Sequence, residues 1–129
     1  MVDRLWNADE QSAETGLLVC DGNIFITEGK LHVSGMIEHI AQSAAAFTGY
    51  NNYLQGGKPK IGYIGEIKDC HIQRLPLIGE RLFTRICVIA EAGGITLMSA
   101  ESFLATAEGS SPLHDQQLLD CRIKIFMKE

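Results

Sequence analysis

In "SGMIEHIAQSAAAFTGY", residues 34–50, a carboxylate (Glu38) and an amide (Gln42) stand four residues apart among apolar and small side chains. Residues at that spacing share a face of a helix, one turn apart. An ionised carboxylate is costly to bury unless something pairs with it or uses it. Three roles are open to Glu38. As a first-turn acid it would be stabilised by the helix dipole and free N–H groups. A basic residue could pair with it in the interior. It could also be a catalytic acid or base in a cleft. Ser34 stands where an N-cap belongs, just ahead of Gly35. Backbone N–H groups near Ser34 and Gly35 would bind a thioester carbonyl oxygen and stabilise the charge developing on it. Glu38 would then lie one turn away, an arrangement suited to reaction at the α and β carbons of an acyl thioester.

Four histidines are the other candidates for moving protons. His32 precedes Glu38 by six residues in the pre-helix loop; it could approach the same cleft or be a plain loop histidine. His39 lies about 100° around the helix from Glu38, at an interface or toward solvent. His71, in a strand, and His114, in the loop "SPLHD", carry no motif.

The elements that must hold these groups follow from periodicity. Residues 2–7 and 12–20 read as short strands, the second ending at the turn signal "CDGN", and "NIFIT" reads as another short extended piece. The helix runs from Ser34 to Tyr50 or Leu54, where "QGGKPK" stops it. On its wheel Met36, Ile37, Ile40, Ala44 and Phe47 form a bulky side for packing on a sheet. Gly35, Glu38, Ala41, Gln42, Ala45 and Gly49 form a narrow side that a strand, a helix or a thin ligand can approach closely.

Strands dominate after Pro59. Gly62 and Gly65 break "KIGYIGEIKDCHI" and suggest a bulge or a close backbone approach. "RLPLIGERL" is a turn-bearing link, and Gly93-Gly94 reads as a tight hairpin turn. In "DCRIKIFMK" Asp120, Arg122 and Lys124 point out, and Cys121, Ile123, Ile125 and Met127 point in. One helix with an antiparallel sheet of four to six strands is an α+β arrangement. The economical solution is a curved sheet wrapped around that helix, with a second subunit burying the remaining apolar surface.

Composition narrows the function. The 129 residues suit one domain, residues 1–129, with 46% hydrophobic and 21% charged side chains. The net charge of −5 argues against nucleic acid, which demands a basic surface. The nearest thing to a basic cluster is Lys58, Lys60 and Lys68, which reads as a solvated face or a contact for an acidic partner. No apolar stretch approaches a membrane span, and "MVDRLWNADEQ" lacks the apolar core of a secretory signal. Cys20, Cys70, Cys87 and Cys121 have no CxxC spacing. That disfavours a zinc site and suits reduced thiols in a cytoplasmic protein. No metal and no other cofactor is implied.

"GMIEHIAQSAAA" resembles the central-helix signature of hotdog-fold β-hydroxyacyl-acyl-carrier-protein dehydratases, in which a Glu lies four residues before the Gln of an "AQ" pair. Glu38 and Gln42 occupy those positions. "YIGEIKDCHIQRLPLIGERL" is similar to the family's next strand and turn, with Gly65, Arg74, Pro76, Gly79 and Leu82 in step. The likeness runs from Ile24 to Leu82 and is nearest to the branch associated with aryl-polyene clusters, through Glu28-Gly29 and Ile61-Gly62-Tyr63.

The resemblance implies a hotdog dimer with active sites between subunits and a tunnel for a carrier-protein-linked or CoA-linked thioester. The second subunit is a like chain or another hotdog chain. Glu38 would protonate the departing hydroxyl, Ser34, Gly35, Gln42 and Gly65 would line the substrate site, and a histidine would remove the α proton. That division requires a carboxyl held protonated by burial. The usual "HFPG" loop is replaced here by "EGKLHVSG", and the branch's "PH" motif would precede "MVDRL". His32 is left as the histidine nearest the helix in sequence. Three functions therefore compete: a 3-hydroxyacyl-thioester dehydratase, a non-catalytic hotdog partner or acyl binder, and an acyl thioesterase in which Glu38 activates water.

Overall fold

A computed structural model describes residues 1–54, 56, 61–109 and 111–128. The elements run β1 (Arg4–Trp6), β2 (Ser12–Leu18), β3 (Ile26–Thr27), β4 (Lys30–Leu31), α1 (Val33–Leu54), β5 (Ile61–Ile72), β6 (Arg81–Ala92), β7 (Ile95–Ala105) and β8 (Pro112–Lys128). Six strands form one antiparallel sheet in the order β1-β2-β6-β7-β8-β5, and β3 with β4 makes a small hairpin ahead of α1.

The turns form where the backbone chemistry allows. Glu28 and Gly29 both have positive φ (54° and 78°) and join β3 to β4 in two residues. Gly93 and Gly94 do the same between β6 and β7, with Ala92 facing Ile95. Two central residues at positive φ give the turn whose twist matches paired strands. The helix stops at Leu54, and the Gly56 N–H, at φ 68°, donates to the Tyr53 carbonyl.

The helix starts one residue earlier than Ser34. His32 caps it: its carbonyl accepts from the Gly35 and Met36 N–H groups, and its Nδ1 accepts from the Ser34 N–H at 3.1 Å. A ring nitrogen can do the work of a capping oxygen, and the sequence rule, written for Ser, Thr, Asp and Asn, passes it over. The segment "SPLHD" is also not a loop. β8 begins at Pro112, opposite Ala105, so His114 sits on a strand, and proline at the first strand position loses no ladder bond.

The core lies between α1 and one face of the sheet. Met36, Ile40, Ala44 and Phe47 meet Ala13, Leu17, Leu82, Ile86, Met98, Ala100, Ile123 and Ile125, all buried. The buried arc is rotated from the expected one: Gly35, His39 and Ser43 belong to it, and Ile37 is only half-buried. Gly35 is therefore not on the open face. A Cβ there would lie 2.6 Å from both Phe25 Cβ and Leu31 Cδ1, so the close approach of the β3–β4 hairpin requires glycine. Outward Asp120, Arg122 and Lys124 and inward Cys121, Ile123 and Ile125 match the alternation; the Met127 side chain lies outside the described set.

Among the described residues β5 is an edge, and beside it the small-residue side of α1 is open: Gln42, Ala45 and Gly49 are exposed. Tyr63 and Ile64 of β5 and Tyr53 and Leu54 of α1 are exposed as well. Long apolar edges are normally paired or covered. No helix of the described chain is long and apolar enough to cross a membrane.

Candidate functional site

Glu38 sits in the second turn of α1, because the helix begins at Val33, and the first turn holds no acid. The dipole, which acts mainly within the first turn, does not account for it. Among the described residues no basic side chain forms an ion pair with it. Its recorded side-chain partner is Gln42, whose Nε2–H donates to Glu38 Oε1 at 3.0 Å. Of the three roles considered, the first two have no support in the geometry.

Helical spacing puts Glu38 on the same face as Ala41 and Ala45. Those residues, with Ala44, Thr48 and Gly49, form one wall of a groove of about 100 Å³ whose other wall is Gly62, Ile64 and Ile125. Small side chains on the helix wall, facing Gly62 and two isoleucines, leave a narrow slot. Glu38 is half-buried one turn N-terminal to the slot. A thin apolar chain fits such a space, with its polar end toward Glu38 and Gln42.

The other expected site residues fall elsewhere. The Ser34 hydroxyl lies 2.9 Å from His32 Nδ1. The N–H groups of Ser34 and Gly35 already have acceptors on His32, so in this chain they are not the free donors the sequence suggested. Gly65 lies on β5 at a bulge: Ile64 faces Ile125 and Glu66 faces Lys124, which leaves Gly65 extra. The Phe126 ring covers it, with Cε2 only 1.8 Å from where a Cβ would stand. Gly62 pairs regularly with Met127, so of the two glycines only Gly65 makes a bulge. The slot residues Gly62, Ile64, Thr48 and Ile125 had no sequence signal as a group, since three elements contribute them. Lys58 and Lys60 lie outside the described residues, and Lys68 stands on β5.

The histidines divide clearly. His39 is fully buried, not at an interface or in solvent. Its Nδ1–H donates to the Met1 carbonyl at 2.8 Å, which leaves Nε2 to accept from the Thr84 hydroxyl at 2.7 Å. Burial, against the opposing pull of the Met1 carbonyl, pushes its pKa down to about 4. His71 is bonded to Asp120 at 2.9 Å, and that carboxylate raises its pKa. His114 packs edge-on against Phe103. His32 is exposed, with Nδ1 occupied by the cap. Among the described residues no group of three His, Cys, Asp or Glu converges on a metal position.

One long helix wrapped by an antiparallel sheet is the architecture of the hotdog fold. The sequence profile of the ApeP-like family, described as ApeP dehydratase, matches residues 1–127, and the chain belongs to that family. A comparison with curated protein sequences returns no match. Solved structures share the fold at low identity. A chain of the dehydratase heterocomplex ApeI:P from Xenorhabdus doucetiae is 13% identical, with a TM-score of 0.83 over 99% of this chain and 82% of that one. The E. coli PaaI protein from the phenylacetic acid degradation operon is 11% identical, with a TM-score of 0.75 over 99% and 80%. The protein smu.793 from Streptococcus mutans UA159, bound to acetyl CoA, is 8% identical, with a TM-score of 0.72 over 99% and 89%.

Proposed function

We propose that this chain is the Glu-bearing subunit of a cytoplasmic 3-hydroxyacyl-thioester dehydratase, acting on an acyl-carrier-protein-linked or CoA-linked substrate together with a second hotdog subunit. The observation that carries the reading is the Glu38 carboxyl, held by Gln42 at the head of an apolar slot. The acyl chain runs along Ala41, Ala45 and Gly49, and the β-hydroxyl meets Glu38. A base removes the α proton, the Cα–Cβ double bond forms, and the β C–O bond breaks as Glu38 delivers a proton to the departing hydroxyl. The products are a trans-2-enoyl thioester and water. General acid catalysis of this kind contributes about 10² to 10⁴ in rate.

The base comes from the second subunit. Within this chain His39, His71 and His114 have structural partners, and the Nδ1 of His32 caps the helix. The open edge β5 and the uncovered side of α1 are the surfaces a second hotdog chain would close. The same histidine placement favours one other reading, a non-catalytic partner that binds acyl chains or supports an active subunit.

The test is dehydration of a 3-hydroxyacyl carrier-protein thioester by the chain alone and mixed with a hotdog partner, each compared with Glu38→Gln. Activity that needs both chains and is lost in Glu38→Gln supports the proposal. Activity of the mixture that Glu38→Gln leaves unchanged sinks it and leaves the non-catalytic role. Release of free thiol from an acyl thioester, with no enoyl product, would instead identify a thioesterase.

A further inference from the structure

Far along β5 from the slot, a second irregularity brings two thiols together. Lys68 faces Arg122 and His71 faces Asp120, so Asp69 and Cys70 together oppose the single residue Cys121 of β8. Asp69 has φ 52°, the left-handed conformation that a bulge of this type demands of its first residue. The sequence, read for glycines, gives no sign of this bulge. Cys70 is next to His71, which pairs with Asp120, and Cys121 follows Asp120, so the bulge leaves the two cysteines as neighbours across the strand pair. The register at the bulge sets the two thiols beside each other, near enough for each to perturb the other's ionisation.

We propose that Cys70 and Cys121 form a reversible dithiol–disulfide couple that fastens the edge strand β5 to β8. Cys70 is exposed and Cys121 is buried, which gives them different roles. The Cys70 thiolate attacks one sulfur of a small disulfide such as oxidised glutathione. A mixed disulfide forms and one small thiolate departs. Cys121, having given up its proton, then attacks the Cys70 sulfur; the Cys70–Cys121 bond forms and the second small thiolate leaves. The two protons lost by the cysteines end on the two released thiols. Two protein thiols are oxidised and one small disulfide is reduced.

The surroundings set the pace. Burial first, and Asp120 second, raise the pKa of Cys70, while the neighbouring Cys121 thiol works the other way; burial pushes Cys121 up to about 12. Both thiols are thus protonated at neutral pH, so the exchange is slow there and accelerates with rising pH. This couple is independent of the dehydratase reading. Because β5 also supplies Gly62 and Ile64 to the slot, the bond would hold the far end of a strand that forms one slot wall.

The test is incubation of the folded protein with oxidised glutathione, followed by intact mass and a non-reducing peptide map. The expected product has lost the mass of two hydrogens and carries a Cys70–Cys121 link. Its Tm is higher than that of the reduced protein, and dithiothreitol reverses both changes. Cys70→Ser, at the exposed position, should yield no link to Cys121. Glutathione accumulating on wild-type Cys70 without a link to Cys121, or neither cysteine reacting while Cys20 is modified, overturns the proposal.

Discussion

The Nε2 of His39 and the hydroxyl of Thr84 lie 2.7 Å apart, both without solvent exposure. Thr84 is the middle of a row that crosses three strands: Thr15 faces Thr84, and Thr84 faces Ser102. All three hydroxyls are buried. Thr84 gives its proton to His39 and accepts from Ser102 at 2.7 Å, while Thr15 lies 2.8 Å from Ser43, whose hydroxyl donates to the His39 carbonyl. The polar stripe of the sheet therefore meets a polar stripe of α1. Each bond contributes on the order of 1 kcal/mol, but an unmatched row would cost more, so the pairing fixes how the helix seats on the sheet.

That network makes stability depend on pH. The folded pKa of His39, about 4, lies below the ordinary 6.5, so the unfolded chain binds the proton more readily. The His39 contribution is complete above about pH 6.5 and is lost as pH falls toward 4, up to about 3 kcal/mol in all. Urea unfolding followed between pH 7.5 and pH 4 should show the decline. In His39→Phe that part of the pH dependence disappears, although neutral-pH stability also falls through the orphaned Thr84 bond.

The Glu38–Gln42 pair is separable from folding. Both side chains face away from the packed core, so Glu38→Gln and Gln42→Leu should leave the unfolding midpoint within about 0.5 kcal/mol of wild type. On the proposed reaction, Glu38→Gln lowers the dehydration rate by about 10² or more. Gln42→Leu, which frees the carboxyl to rotate, lowers it on the order of tenfold. Unchanged activity for Gln42→Leu would mean that the amide does not orient Glu38.

Gly35 is a packing glycine. Gly35→Ala forces a methyl against Phe25 and Leu31 at 2.6 Å and should cost about 1–3 kcal/mol. The first amides to lose hydrogen-exchange protection should be those of β3, β4 and the first turn of α1. Wild-type stability would show that the hairpin yields without effort.

Gly65 and Phe126 should be strongly coupled. Gly65→Ala displaces the Phe126 ring and costs about 1 kcal/mol alone, whereas in a Phe126→Ala background the penalty should vanish. A double-mutant cycle by chemical denaturation measures the difference. Additive penalties would place the strain in the bulge backbone instead.

The sequence by itself determined the helix, the Gly93-Gly94 turn, the alternation in β8 and the face that carries Glu38 and Gln42. Those features arise from local periodicity and backbone chemistry, which act over a few residues. It also carried the family likeness, because that signature is contiguous along α1. Only the tertiary structure decided that His32 caps the helix and that His39 is locked in the core. The same holds for the closing of Gly35 under a hairpin and the meeting of Cys70 with Cys121. The cap is local, within four residues, but rests on a ring nitrogen that the capping rule omits. The others depend on strand register or on partners up to 51 residues away, and register is set by how whole faces pack, a quantity no local window contains.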